Sequence, residues 1–309
     1  MSIVGSGVPT NRTNIQLPND VSREILQKTQ ESSAIMQLAQ RVDLPGNGVQ
    51  IPMITGDPTA SWVTETDSKP VSNPTLDKKI MQAHKLAVIV PFSNEFRRDI
   101  PALYNALVQR LPNVLAKKYD QTVFFGPASS LANFDNFSAV SAQALDTYGK
   151  TAYDGLVAAE IDISEQGGVT NGYVLSPQAR GILLAACDTT GRPIFVDSVH
   201  EGGINRLLGA NAYVRQAAYK EGTSGASGGS SGKPDIVGFV GDWTHAMWGT
   251  VQGVQIDISD QATLTYINAS NQTATMNLWQ QNMFAVRAEI EVGFVAETQY
   301  FNALTRTHQ

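Results

Sequence analysis

A single cysteine, Cys187, stands in a chain of 309 residues, which excludes an intrachain disulfide. Next to the apolar run from Gly181 to Ala186 it reads as a small packed hydrophobe, and a reducing compartment is the default setting. Charge is scarce too. Asp, Glu, Lys and Arg make up 16% of the chain, against about 25% in an average soluble domain. Burial between subunits would explain that deficit, and so would compositional scatter. The 28 acidic and 22 basic residues leave a formal charge of −6, which argues against a protein dominated by phosphate contacts and leaves room for a local basic patch. No stretch approaches 18 consecutive apolar residues, so no membrane-spanning helix is expected. The first thirty residues are polar, with no basic flank leading into an apolar run, so neither a signal peptide nor a transit peptide is expected.

The patterns of catalysis and metal binding are also missing. His84, His200, His245 and His308 stand singly, with no second ligand at an H-x-x-E-H or C-x-x-C spacing. His84 reads as a surface residue, and His245, beside Trp243 and Trp248, as a packed one. No Walker loop and no G-x-G-x-x-G element opens a helix, so no nucleotide or other cofactor is expected. Two pentads, Gly225 to Gly229 and Gly228 to Gly232, match G-x-S-x-G around Ser227 and Ser230. That chemistry needs a sharp turn between a buried strand and a helix, and a Gly/Ser tract without apolar flanks produces the match by chance. Asn11, Asn136, Asn268 and Asn271 fit the glycosylation pattern but lack the secretion signal that would give it meaning. Asp257 and Asp260 read as ordinary turn and strand-end residues. An enzyme is therefore not expected.

What is present is an alternation of helix and strand patterns, an α+β chain. Met1 to Thr13 has no periodicity and reads as an extended arm. Asn19 and Asp20 can cap a short helix with Val21, Ile25 and Lys28 on one face, and Ala34, Ile35, Leu38 and Ala39 suggest a further turn or two. Val49, Ile51 and Met53 alternate as in a strand, and Pro52 places it at an edge. Ala60 to Thr66, the polar stretch Asp67 to Pro74, and Thr75 to Val90 then read as strand, turn and long strand, a protruding hairpin. A two-stranded hairpin without a packed face is marginal in water. It needs a surface to lie on, and pattern alone leaves its own domain and a neighbouring subunit equally open.

Ser93 stands where a helix N-cap belongs, and Asp99 followed by Pro101 looks like a second start. Leu103, Leu107, Leu111, Val114, Leu115, Tyr119 and Val123 form one apolar stripe down a helix that ends near Gly126. Pro112 lies inside it and predicts a kink. Beyond it, Ala152 to Gln166 and Pro177 to Ala186 read as helices, and Tyr173 to Leu175, Ile236 to Val240, Val251 to Ile258 and Asn282 to Val295 as strands. Glu221 to Pro234, rich in Gly and Ser, reads as a surface loop. No internal repeat is apparent.

The order of these parts resembles one family. The segments Ala60-Ser-Trp62-Val-Thr-Glu65, Lys85-Leu-Ala-Val-Ile-Val, Ser93-Asn-Glu-Phe-Arg-Arg-Asp99 and Lys118-Tyr-Asp120-Gln-Thr-Val-Phe-Phe-Gly126 follow one another as in the HK97-type major capsid proteins of tailed bacteriophages. Gly191-Arg-Pro193, Phe239-Val-Gly241-Asp242-Trp-Thr-His-Ala-Met-Trp248-Gly249 and Leu278-Trp-Gln-Gln-Asn282-Met-Phe-Ala-Val-Arg287-Ala-Glu289 continue the match. The resemblance implies an HK97-like capsid fold: an N-terminal arm and short helix over residues 1–53, an extended loop over 54–90, a peripheral domain with a spine helix over 91–126 and 275–309, and an axial domain over 127–274. It also implies that the loop lies across the adjacent subunit and that axial domains meet around five-fold and six-fold axes.

The same resemblance implies partners: copies of the chain in hexamers and pentamers of an icosahedral head, packaged double-stranded DNA bound without sequence specificity, and separate scaffolding, portal and decoration proteins. The location implied is the virion capsid, assembled in the host bacterial cytoplasm, with no membrane partner. Because the arm begins almost at Met1, scaffolding is expected as a separate chain or not at all. An encapsulin-like nanocompartment shell enclosing a cargo protein is the alternative within the same fold. Trp62, Val63, Glu65, Lys69, Lys78 and Lys79 are the expected intersubunit contacts, since a tryptophan on a polar arm is a natural interface anchor. The three lysines also raise a covalent reading, an isopeptide bond to a neighbour's Asn or Asp. The plainer one is that they keep an exposed arm soluble.

Overall fold

The chain is described by a computed structural model at residues 29, 32–46, 48–56, 60–63, 68–69, 71, 75–94, 100–127, 131–146, 152–187, 190–195, 206–223, 232–251, 253–267 and 272–308. The expected arm at residues 1–13, the first expected helix, Glu65 and His200 lie outside them. The helices are α1 (Ala34–Leu38), α2 (Ile100–Phe125), α3 (Ala152–Glu165) and α4 (Pro177–Ala185). The strands are β1 (Gln40–Asp43), β2 (Val49–Gly56), β3 (Thr75–Met81), β4 (His84–Ser93), β5 (Ser141–Ala144), β6 (Gly172–Leu175), β7 (Arg206–Leu207) and β8 (Ala210–Val214). After them come β9 (Asp235–Gly241), β10 (Ala246–Thr250), β11 (Gln255–Ser259), β12 (Thr263–Ile267), β13 (Thr273–Asn277), β14 (Met283–Ala296) and β15 (Phe301–Arg306).

Strand β14 is the axis of a five-stranded sheet. β4 pairs along one side of it from Met283 opposite Ser93 to Val292 opposite His84. β11 and β10 share its other side, and β1 joins β10 in parallel. The alternation of β4 turns Leu86, Val88, Val90 and Phe92 toward the core, while Lys85, Ala87, Ile89 and Pro91 face out. A six-stranded sheet runs in the order β5-β15-β9-β6-β8-β7. On it lie α3, through Leu156, Ala159 and Ile163, and α4, through Ala179 and Leu183. The start of α4 is set locally: the Ser176 hydroxyl accepts from Ala179 N at 3.1 Å, and Pro177 occupies the first turn, where its missing N–H is no loss. Sheet membership crosses the division expected at residue 274, because β10 and β11 pair with β14, and β15 pairs with β5 and β9.

The two sheets and α2 share one aromatic core. Phe137 is its hub, 4.5 Å from the Phe301 ring, 5.6 Å from Phe294, 5.8 Å from Trp243 and 6.0 Å from Phe239. Phe124 of α2 stacks on Phe239 of β9 at 4.6 Å. Helix α2 buries Leu111, Leu115, Tyr119 and Val123, the four-residue rhythm of the predicted stripe. Val114, assigned to that stripe, instead is 49% exposed. The helix ends at Gly126, whose φ of +79° is a conformation that costs glycine little.

Several expectations need correction. Ser93 does not cap the spine helix; it closes β4, and the helix begins at Ile100, where Asp99 and Pro101 placed the second start. Pro112 lies inside α2 as expected, and the helix runs on past it to Phe125. Thr75 to Val90 is two strands in different sheets, parted at Gln82 and Ala83. Residues 60–63 form no strand, and the limb that pairs with β3 is β2, from Val49 opposite Met81 to Gly56 opposite Thr75. Val251 sits between β10 and β11 rather than inside a strand. Cys187 is exposed, because α4 ends at Ala185 and releases the chain toward the surface.

Candidate assembly interface

The hairpin of β2 and β3 has a fixed base. Ile51 and Met81 pack with Leu44 and Val295 in a small core of their own. The Lys79 ammonium donates to Asp135 Oδ2 at 2.9 Å and to the Ala296 carbonyl at 2.7 Å, and the same carboxylate oxygen accepts from Ala296 N at 3.0 Å. The end of β14, the hairpin and the segment after α2 thus meet on one carboxylate. Gly48 allows the close approach: its φ is +83°, and a Cβ there would stand 2.7 Å from the Met81 carbonyl oxygen.

Past that base the described residues are exposed. Trp62 has a relative exposure of 105% and Val71 of 89%; Val63 and Lys69 are exposed as well. Lys78 is exposed on β3, and Lys79, expected to reach a neighbour, is held within its own chain. Burying a tryptophan removes roughly 150 Å² or more from water, and at about 25 cal/mol per Å² this is about 4 kcal/mol of unused driving force.

A second site joins the N-terminal segment to α2. Asp120 is fully buried; its Oδ1 accepts from the Ser33 hydroxyl at 2.5 Å and its Oδ2 from Ala34 N at 3.0 Å. Ser33 also caps α1 by accepting from Met36 N at 3.1 Å, and Arg215 Nε donates to the Ser32 carbonyl at 2.9 Å. Burial pushes the Asp120 carboxyl up from 3.8 to about 7, outweighing the hydrogen bonds from Ser33 and Ala34 and the charge of Arg215, which act the other way. No sequence motif announces this seat or the Asp135 clamp. The one available signal is a carboxylate placed between Tyr119 and Val123, inside the buried arc of a helix.

A third cluster fastens the base of the loop expected at residues 221–234. Asp235 accepts from Gly222 N at 2.8 Å, Arg306 Nε at 2.8 Å, His308 Nδ1 at 2.6 Å and Tyr219 Oη at 3.3 Å. Burial alone would raise its carboxyl, but the bonds from Gly222, His308 and Arg306 win and hold it below the ordinary range. Among the described residues, no three His, Cys, Asp or Glu side chains converge to hold a metal, and no helix is long and apolar enough to cross a membrane.

The hairpin of β2 and β3 is thus fixed at its base while Trp62 and Val71 stand exposed, and two further segments are held on the carboxylates of Asp120 and Asp235. The model of the phage capsid family matches residues 14–304. The chain belongs to the phage capsid family. A probable major capsid protein of Mycobacterium phage D29 is 27% identical over 297 residues, covering 94% of this chain and 89% of that one. The major capsid protein of Staphylococcus phage 80alpha is 23% identical, covering 93% and 84%. A solved structure from Microbacterium phage Oxtober96 superposes with a TM-score of 0.67 at 19% identity, covering 99% of this chain and 95% of that one. One titled as the capsid of an empty GTA particle gives 0.62 at 13%, covering 98% and 95%. The architecture is the HK97-like capsid fold of this family.

Proposed function

We propose that this phage capsid family member is the major capsid protein of a tailed double-stranded DNA bacteriophage, and that its copies close into an icosahedral head with each loop of residues 57–74 laid on a neighbouring subunit. The observation that carries the reading is Trp62, fully exposed on a loop whose base is fixed by Lys79, Asp135 and Met81. An anchored root makes the tip a directed arm rather than a loose one. Trp62, Val63, Glu65, Lys69 and Lys78 are its contacts with the neighbour. Lys79 serves instead as the root of the arm, so a covalent cross-link through it would first have to break two hydrogen bonds.

In this reading the six-stranded sheet with α3 and α4 is the axial domain, meeting its copies in hexamers and pentamers, and the five-stranded sheet with α2 is the peripheral one. The head holds DNA without sequence specificity. Its place is the virion, after assembly in the host cytoplasm. Electron micrographs of the expressed chain should show closed particles, and deleting residues 67–74 should leave soluble subunits that do not close. Normal particles from that deletion would remove the central contact. A co-purifying protein in place of nuclease-digestible DNA, in particles from infected cells, would return the reading to a cargo-enclosing shell.

A further inference from the structure

The outward face of α2 carries charge of one sign. Arg110, Lys117 and Lys118 are exposed, and none forms an ion pair among the described residues. With Val114, Gln121 and Phe125 they fall within an arc of about 100° on the helix, opposite the buried line of Leu115, Tyr119 and Val123. At the C-terminal end Lys220 extends the row, its ammonium 5.4 Å from the centre of the Phe125 ring. From Arg110 to Phe125 the row spans about 22 Å at 1.5 Å per residue. The one carboxylate among the described side chains of this helix, Asp120, is buried on another side beneath α1. In a chain with a net charge of −6, a run of cations without an answering anion is a local reversal of sign.

We infer that this face of α2, with Arg110, Lys117, Lys118 and Lys220, is a binding surface for the phosphate backbone of double-stranded DNA. The inference rests on the proposed function, since it names the side of the subunit that faces the packaged genome. Four cations in a line, with no ion-pair partner among the described residues, suit a regularly spaced polyanion, and the one amide among them, Gln121, makes no pattern that would read a sequence. Contacts of this kind position DNA and release counterions, so their signature is salt dependence rather than sequence preference.

The test is binding of a 30-base-pair duplex to full-length, unassembled subunits between 50 and 200 mM NaCl. Four phosphate contacts predict a slope of log K against log salt of about −3.6, an affinity loss of about 150-fold over that range. The triple variant Arg110→Gln/Lys117→Gln/Lys118→Gln should retain a slope of about −0.9, a loss of about 3.5-fold. The charge-preserving Lys117→Arg/Lys118→Arg should keep the wild-type slope, and Lys117→Gln alone should lower it by about 0.9. An unchanged slope in the triple variant, or no binding by the wild type at 50 mM, overturns the inference. So does a triple variant that binds DNA like the wild type yet fails to close particles, which would assign the face to another protein chain. Wild-type subunits that never close a shell but show the predicted slopes would strike the capsid reading and leave the phosphate surface standing.

Discussion

The buried carboxylate of Asp120 makes the seating of the N-terminal segment depend on pH. Burial raises its carboxyl to about 7 in the folded chain from the 3.8 of an unperturbed carboxyl, so folding around it, the seat included, favours the protonated form. The sign follows directly: the stabilisation is complete below about pH 4, declines as pH rises through 7, and is gone above it. Three units at about 1.4 kcal/mol each bring the swing to about 4 kcal/mol, an upper figure because local unseating can relieve part of it. Arg215 is the charge that opposes the shift, and the Tyr119 phenol, buried beside Asp120 without a hydrogen-bond partner, cannot supply another. In Asp120→Asn the amide can donate to Ser33 Oγ and still accept from Ala34 N, so the seat is kept without the titration. Urea unfolding of full-length subunits from pH 5 to 8, with limited proteolysis near residues 29–39, reads both effects. The wild type should lose stability across that range relative to the variant, and cleavage near α1 should rise with it. Parallel curves for the two proteins would refute the reasoning. Asp120→Ala should be worse at every pH, since Ala34 N and the Ser33 hydroxyl lose a buried acceptor, about 1 to 3 kcal/mol each.

Other expectations test separate parts of the molecule. Phe137→Ala should cost about 3 to 5 kcal/mol in urea unfolding, because the ring joins both sheets and α2 and the cavity cannot close around five aromatic neighbours. Asp235 is held below the ordinary carboxylate range, so its contribution is present above about pH 4 and is lost as acid protonates it. Asp235→Asn should therefore flatten the acid limb of the stability profile and speed amide exchange at Gly222. Asp135→Ala should leave the subunit folded but raise hydrogen exchange along β3, since the Lys79 ion pair is half-exposed and worth about 1 kcal/mol at most. Trp62→Ala should change subunit stability by less than about 0.5 kcal/mol and still suppress particle formation in negative stain; normal assembly would remove Trp62 from the interface.

Elements whose partners lie close in sequence were readable. The periodicity of α3 and α4 placed them within a residue or two, and the largely apolar run from Asn282 to Val295 marked β14 as a long strand. Where local signals competed, tertiary pairing decided. Ser93 has the chemistry of a cap, but opposite Met283 its backbone is worth more as the last rung of a ladder. The polar stretch after Ala60 looked like a strand because Trp62, Val63 and Thr64 favour extended backbone, yet β2, eight residues long, already occupied the edge of β3. The Lys79 clamp was illegible for a plainer reason: its acceptors, Asp135 and Ala296, stand 56 and 217 residues away.

The scarcity of charge, ambiguous as a percentage, acquires a location in the fold. Residues 261–286 contain no Asp, Glu, Lys or Arg, and the ribbon of β12 and β13 that they build pairs with neither main sheet. Trp279, in the turn that follows it, is 75% exposed. The hairpin of β2 and β3 is the other two-stranded ribbon, and it leads into the exposed Trp62. A two-stranded ribbon is marginal in water on its own, and an isolated tryptophan at its end leaves apolar area uncovered. A monomer gains nothing from building that arrangement twice. In the proposed shell it would have a use, because weak ribbons stabilised last by adjoining copies would tie the order of each arm to closure.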